Sequence, residues 1–594
     1  MFKYLKLVAT EIDPKDLHVV LIWDEMSLQP ALHYDRSKDK MVGIEDWGMR
    51  RTRKFADHAI MFYIRCLASG NHMPIGYGFC NSATRTAQLI RCIKQWLTVI
   101  IKCGFKPVAT VCDQGGQNIA AINMLIKETN NLRYKQHNNP KNTFIIGNHE
   151  IVPLYDYVHL QKGVRNNLLT KDLVNNKYKK ESERQFASWN DIVIAYKMDI
   201  YSFLKQRQMP KLNDRHIFPN LIPKMKVKYA TQVISHTVAN FINIVLTWNK
   251  GIVNTVKGEM CLPASAAITA DIILFFDKLF DSFNKKENKE LSCIISPVSK
   301  HISFWQNAVN RIRQMDFVEN TTHKHIRHNA KCLTNWIWTI KGAQYVWNIL
   351  QKCGFSSFNL RYLNQDLVEN CFSQIRDHGH RNNNPTSYQF CASFKTLVTT
   401  NLTSKHSISS NCKENDEGTS LSLSKMISTA ASCENDEKEE ETECTDSSIP
   451  SATNCYIFVD TDKIIKNIIT NKTVMQCAEC VQWLKNEDIL RTIEHAFQVA
   501  ELKFVNFFYE TEIKKKLKSI LYLEVFTRIS THCSTLLDYL IEETAQEFIV
   551  QWCKFINKIL NGTQQENYEN NYIYNEAKRM SMRFTKKKNL KQTK

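Results

Sequence analysis

Long apolar runs are missing from this sequence. No window reaches 18 uninterrupted apolar residues, and the nearest approach, LPASAAITADIILFF at 262–276, is broken by Asp271, so no membrane-spanning helix is expected. The start, MFKYLKLVATEID, has no apolar signal-peptide core followed by a cleavage site. The 19 cysteines are scattered and lack the spacing of a disulfide framework, which leads to the expectation of a reduced intracellular setting. Internal repeats are absent, and nothing resembles a GxxxxGK[ST] phosphate loop or an NKxD guanine-reading motif, so spacing alone gives no nucleotide site. What is present is ordinary globular material. Hydrophobic residues make up 43% and charged residues 23% of 594 residues, enough apolar surface to offset the entropy of ordering, in a chain long enough for several domains. Lys and Arg outnumber Asp and Glu by 78 to 59, a formal charge of +19, which favours a polyanionic partner because neutralised phosphates release counterions. A merely solvated basic surface gives the same count.

The pattern along the chain is more specific. HVVLIW at 18–23 reads as a central strand covered on both faces, and it ends at Asp24. LHYDRSKDKMVGIED (32–46) and AIMFYIRCLASGNHMPIGYGFC (59–80) suit two further antiparallel strands, giving a three-stranded meander. From Thr86 to Cys103 the residues Leu89, Ile90, Ile93, Trp96, Leu97, Ile100 and Ile101 recur at three-four spacing, an amphipathic helix stopped by Gly104. PVATVCDQGG predicts a short strand ending at Asp113 and a Gly-Gly turn, with a second helix from near Asn118. A fifth strand falls in NTFIIGNHEIVPLYDYVH, before a helix with a basic face. Three strands, helix, strand, helix, strand, helix is the order of a ribonuclease H-like α/β core, a five-stranded mixed sheet with flanking helices over residues 1–166 and acidic groups at one edge.

Residues 167–350 read as an all-α insertion domain, and 351–400 as the returning part of the core, where LNQDLVENCFSQIRDHG places Asp366 and Glu369 on one helix face. Residues 401–450 are acidic and Ser-rich, a disordered linker by composition. Residues 451–594 are helical and end in a basic tail, RMSMRFTKKKNLKQTK, which serves equally as a nuclear address, a phosphate contact or a solvated end.

Two strand-end aspartates and a helix-borne glutamate are the parts that hold a pair of divalent cations for phosphodiester chemistry. A single acidic residue at a strand end is unremarkable, and the trio in this topology is the signal. Lys162, Arg165 and Asn166, beside His159, suit contact with a phosphate backbone, and equally suit a solvated helix face. The pair in CAEC, Cys477 and Cys480, has no second pair at a convincing spacing, so two reduced cysteines in a helical domain are expected and structural zinc is not.

WDEMSLQPALHYD, VCDQGGQNIAA, DYVHLQKGVRNNL, MKVKYATQVIS and LNQDLVENCFSQIR, in this order, resemble successive blocks of the P-element transposase family, which includes the THAP-domain transposase homologues; the resemblance spans about residues 15–395. It implies that Asp24, Asp113 and Glu369 are catalytic and bind two Mg²⁺ ions, that DNA is cleaved and its freed 3′-hydroxyl joined to target DNA, and that the protein is a nuclear homo-oligomer. It also implies that the long interval before Glu369 is a GTP-binding insertion, with GTP an unhydrolysed organising cofactor. The guanine would be bound by Phe280, Asp281 and Asn284, the phosphates and ribose by Lys211, Lys226, Val227 and Ser235, and the nucleotide's metal by Asp366. Without the resemblance, FDSFN is the end of an amphipathic helix. The family's N-terminal zinc module and coiled coil are not found here, which leads to the expectation that sequence-specific DNA recognition is missing. The alternatives are a host-adopted or decayed DNA-binding protein that no longer transposes, and a free-standing nuclease.

Overall fold

The computed structural model describes residues 2–203, 206–286, 291–326, 331–378, 381–403, 456–470, 477–531, 533–564, 566, 568 and 571–592. Helix α1 (Phe2–Glu11) leads into strand β1 (His18–Ser27). Four short strands follow, β2 (His33–Asp35), β3 (Lys40–Val42), β4 (Ile44–Asp46) and β5 (Arg51–Phe55), and then the hairpin β6 (His58–Cys66) and β7 (His72–Cys80). Next come α2 (Thr86–Lys102), β8 (Lys106–Cys112), α3 (Gly116–Lys135), the hairpin β9 (Phe144–Ile146) and β10 (His149–Tyr155), and α4 (Tyr157–Leu168).

One eight-stranded sheet has the order β5-β4-β7-β6-β1-β8-β10-β9, with β1 antiparallel to β6 and parallel to β8. The five core strands β7, β6, β1, β8 and β10 are those expected of a ribonuclease H-like fold, and β4, β5 and β9 extend them. The apolar run at the start of β1 is buried from His18 to Trp23 because helices cover both faces. α2 buries Leu89, Ile90, Ile93, Leu97 and Ile100, as its spacing requires. The meander differs from the sequence reading. Residues 59–80 form two strands, turned at Gly70, whose φ of +77° is left-handed backbone that glycine adopts at low cost. Residues 32–46 form the short strands β2 and β3, which pair with each other, and β4, which joins the sheet beside β7.

The chain leaves the core through Lys171–Val174 and returns through Asp316–Glu319, and these two segments pair antiparallel, Lys171 with Glu319 and Val174 with Asp316. Between them lie α5 (Trp189–Ile200), α6 (Asp214–Ile217), α7 (Val227–Val233), α8 (His236–Trp248), α9 (Ala266–Asn284) and α10 (His301–Gln314). The insertion is therefore mostly helical, with a small hairpin of Ile252–Thr255 and Gly258–Cys261 where only helix was expected. α9 is its centre. It buries residues on most of its circumference, among them Ile272, Phe276, Leu279 and Phe283, and Phe283 stacks on Trp305 at 4.9 Å.

The expected end of the insertion at 350 is corrected. Helix α11 (Lys331–Lys352) lies on the sheet, its Trp338 indole donating to the Pro153 carbonyl at 2.8 Å and its Thr339 hydroxyl to the Tyr155 carbonyl at 3.1 Å. A Cβ on Gly342 would stand 2.3 Å from Leu154 Cδ2, so the helix sits close against β10, and a side chain there would require Leu154 to shift. Three-four periodicity identifies a buried face without naming what buries it. The core then closes with α12 (Asp366–Asp377) and α13 (Ser387–Thr403).

The 401–450 linker expectation falls, from residue 404 onward, outside the described residues. Beyond it the helices Thr461–Ile469, Ala478–Leu484, Glu487–Phe504, Ile513–Leu521, Ser534–Leu560 and Tyr572–Gln592 form a second core, completed by Leu32, Tyr34, Met41, Ile44 and Phe55 of the β2–β5 region. Polar contacts fix this docking. Asn557 brackets Leu32, accepting from its N–H and donating to its carbonyl at 2.8 Å each, and the Asp39 carboxylate accepts from the Lys514 N–H at 2.8 Å. Much of the basic tail lies in the last helix. Among the described residues no helix is long and apolar enough to cross a membrane.

Candidate active site

Register brings the two aspartates together. In the parallel ladder Ile22 is opposite Val111, so two residues further along both strands Asp24 and Asp113 lie side by side with the same facing. Asp24 is not at the end of its strand, since β1 continues to Ser27 on its β6 side with Asp24 opposite Met61; it lies just past the end of the β8 ladder. Asp113 directly follows β8. Its carboxylate accepts from the Gly115 N–H at 2.8 Å and from the Asn118 amide at 2.6 Å, while Asn118 in turn accepts from the Trp23 indole at 2.9 Å.

Glu369 sits one turn into α12. The buried Gln365 anchors that helix start by donating to the Trp23 carbonyl at 2.6 Å, which sets Glu369 over β1. α4 begins where β10 ends, capped by Asp156, whose carboxylate accepts from the N–H groups of Val158 and His159. The same turn directs His159 into the site, its Nε2 3.0 Å from the Glu369 carboxylate and its Nδ1 3.5 Å from Asp156.

These groups line a cleft of about 320 Å³ with Glu25, Gln114, Lys162, Gly163, Asn166 and Met225. Its electrostatics are strained in one direction. Burial and the neighbouring charge of Asp113 push the Asp24 carboxyl up to about 7. Burial likewise raises Asp156 to about 6 although His159 draws it down. Burial works against charge on His159 too, but its bond to Glu369 and the nearby Asp156 outweigh it and raise the imidazole to about 9. Glu369 is held below the usual carboxylate range, because the bond from His159 and its charge overcome the effect of burial. Burial lowers Arg376 on the same helix, against the charges of Asp24 and Glu369, which lie within its field.

The donor set fits divalent cations: carboxylate oxygens only, with one aspartate that resists ionisation beside its neighbour and would be relieved by a cation. The three carboxylates share the cleft without converging. Among the described residues no three of their oxygens lie within 4.8 Å of one another, and Glu369 is turned to His159.

Lys162 and Asn166 face the cleft, but Arg165 does not. Its side chain is fully buried, bonded to the Asn166 amide oxygen and to the Lys224 carbonyl, with burial lowering the guanidinium to about 10. Arg165 is thus removed from the expected DNA contacts. Residues three apart share one side of a helix, so spacing alone does not separate Lys162 from Arg165; the Lys224 carbonyl, from a distant segment, takes the Arg165 guanidinium inward. His159, Asn118, Gln365 and Arg376 were missed as site residues, since each acts through a contact between distant segments; His159 alone had a local signal, its place beside the basic cluster.

The expected nucleotide residues are partly gathered. Tyr157 joins two groups of them: its hydroxyl donates to the Asn284 amide oxygen at 3.3 Å and accepts from Asn364 at 3.4 Å, while Asn364 donates to Asp366 at 2.6 Å. Asp281 pairs with Lys285 at 3.2 Å. Ser235 precedes α8, its hydroxyl donating to the Gln232 carbonyl at 2.9 Å, and the His236 N–H donates to Asp277, a turn before Asp281 on α9. Lys226 precedes Val227 at the start of α7, and Lys211 is exposed before α6. Phe280 is corrected as a stacking surface, since its ring is 8% exposed and packs edge-on against Tyr157 at 5.7 Å. Its place in the sequence pattern is a core place.

Comparison with known proteins agrees with this layout. Three family models match in order: TNP-like, RNase H N-terminal domain over residues 1–126, TNP-like, GTP-binding insertion domain over 158–293, and TNP-like, RNase H C-terminal domain over 362–395. The Transposable element P transposase of Drosophila melanogaster is 24% identical over 389 residues, covering 64% of this chain and 45% of that protein, so the chain spans less than half of that relative's length. The solved Drosophila P element transposase strand transfer complex aligns with a TM-score of 0.49 at 21% identity, over 66% of this chain and 80% of that one. With its two ribonuclease H-like parts separated by an insertion domain of the GTP-binding type, the chain belongs to the P-element transposase-type family.

Proposed function

We propose that this chain is the catalytic body of a DNA transposase, which cleaves a phosphodiester at an element end and joins the freed 3′-hydroxyl to target DNA. The observation that carries the proposal is that Asp24 and Asp113, each two residues beyond the last rung of the β1–β8 ladder, share one cleft with Glu369. These three carboxylates would hold two Mg²⁺ ions. When bound, such a pair supplies an activated attacking oxygen and a stabilised leaving oxygen, and the same arrangement serves hydrolysis and strand transfer because both are in-line displacements at phosphorus.

The chain's own residues do the positioning. Asn118 and the Gly115 N–H fix the Asp113 carboxylate, leaving Asp24 between two anionic neighbours. Protonated His159 keeps Glu369 ionised and oriented, and Asp156 holds the imidazole from its other side. Lys162 and Asn166 offer a cation and an amide to DNA phosphates on the cleft wall.

GTP is assigned to the insertion on the strength of its match to a GTP-binding insertion domain. Asp281, Asn284 and Asp366 are its candidate contacts around Tyr157, with Lys226, Val227 and Ser235 from the neighbouring helix starts and Lys211 from the loop before them. Phe280 contributes as packing beneath that end of α9.

The test is incubation of the purified chain with a pre-cut duplex end and a plasmid target in Mg²⁺. Nicking or joining is expected from the wild type and none from Asp113→Asn. Equal activity of the two, or inertness of both while DNA is still bound, overturns the proposal.

A further inference from the structure

Among the described residues, one group of three potential ligands for a metal ion has all its donor atoms within 4.8 Å of one another, and it lies in the C-terminal helices, away from the carboxylate cleft. Its members are Cys477, Cys480 and Cys533. We infer that these three thiols bind one Zn²⁺ ion that joins the short helix Ala478–Leu484 to the start of Ser534–Leu560.

Tetrahedral zinc with bonds of about 2.3 Å to sulfur sets its thiolates roughly 3.8 Å apart, so the spread of at most 4.8 Å closes around the ion with side-chain movement alone. Cys480 is in hydrogen-bond contact with both of the other thiols and is buried, while Cys477 and Cys533 are half-exposed, so an ion can reach the three sulfurs from solvent. Cys477 is the residue before the first helix, Cys480 lies in the first turn of that helix, and Cys533 is the residue before the second. Each thiol that binds passes its proton to solvent. A set of soft sulfur donors with no carboxylate among them selects zinc over the Mg²⁺ expected at the cleft. The fourth position falls to a water molecule.

The fold supplies a reason for the ion. Ala478–Leu484 has seven residues, too few to be stable alone, and only Cys480 and Leu484 are buried. Ser534–Leu560 is the spine of the C-terminal unit, burying Phe548, Ile549, Trp552 and Ile556. A metal bridge fastens the weakest helix to the strongest. The CAEC pair alone did not disclose this, because the third sulfur comes from a single cysteine far downstream.

The test uses the full chain purified without chelator. Elemental analysis is expected to give one zinc per chain, retained in Asp113→Asn and lost in Cys480→Ser. Replacement with Co²⁺ in the wild type is expected to give a sulfur-to-cobalt charge-transfer band and tetrahedral d–d bands, a readout that does not depend on whether a cysteine variant folds. Zinc at background with no cobalt bands, or a disulfide between any two of the three in a non-reduced peptide map, overturns the inference.

Discussion

Replacing Asp24 by Asn removes the charge that the cleft tolerates least, and the consequence for stability can be worked out. Burial and Asp113 raise the Asp24 carboxyl from 3.8 to about 7 in the folded chain. At about 1.4 kcal/mol per pKa unit, the ionised form costs the native state about 4 kcal/mol, an upper bound because the cleft relaxes around the charge. The sign follows from a folded pKa raised above the unfolded one: the stability of neutral Asp24 is fully present below pH 4, where the unfolded chain is also protonated, and is lost as pH rises to 7. Asp24→Asn, which cannot ionise, escapes that loss. In EDTA it is expected to be more stable than the wild type by about 2–4 kcal/mol at pH 8, with the gap closing toward pH 4. Mg²⁺ should then stabilise the wild type more than the variant, because the cation relieves the repulsion that the substitution abolishes. Chemical denaturation followed by pulse proteolysis of the core measures each arm. A variant no more stable than the wild type at pH 8 in EDTA, or a gap independent of pH, refutes the reasoning, and catalysis should be lost in the same variant that gains stability.

His159 is raised to about 9, so its pairing with Glu369 contributes stability that is complete below its ordinary pKa and lost as pH rises through 9; His159→Gln is expected to cost about 2 kcal/mol at pH 7 and little at pH 10, read from denaturation midpoints. Lys162 and Arg165 should separate in DNA binding. Lys162→Ala is expected to reduce the slope of log affinity against log salt by about one, as loss of one phosphate contact requires. Arg165→Met should leave that slope unchanged and show itself in thermal stability, because its guanidinium is buried against the Lys224 carbonyl.

Much of the core was legible because its strands announce themselves as apolar runs and its helices as three-four stripes. The run at 18–23 and the strand before Asp113 fixed two of the three carboxylates, and the helix of Asp366 and Glu369 gave the third. Periodicity does not name partners, and the misreadings share that cause. α11 has the stripe of any amphipathic helix, and only contact with Pro153 and Tyr155 assigns it to the sheet. Arg165 and Phe280 look alike in composition whether they face solvent or core. Cys533 is one thiol among many until the fold carries it to Cys477 and Cys480. Local pattern determines how each element is made, and long-range packing determines which of its side chains are left to do chemistry.

The docking of the C-terminal helices onto the β2–β5 region has a consequence for how this gene can vary. Leu32 and Asn557, Asp39 and Lys514 hold the two ends of the chain together directly. These contacts bury apolar side chains of both regions in one core, so a single charge placed at Leu32 or Met41 is expected to part the two halves. The same arrangement makes the chain a candidate for division into two separately produced pieces that find each other in solution.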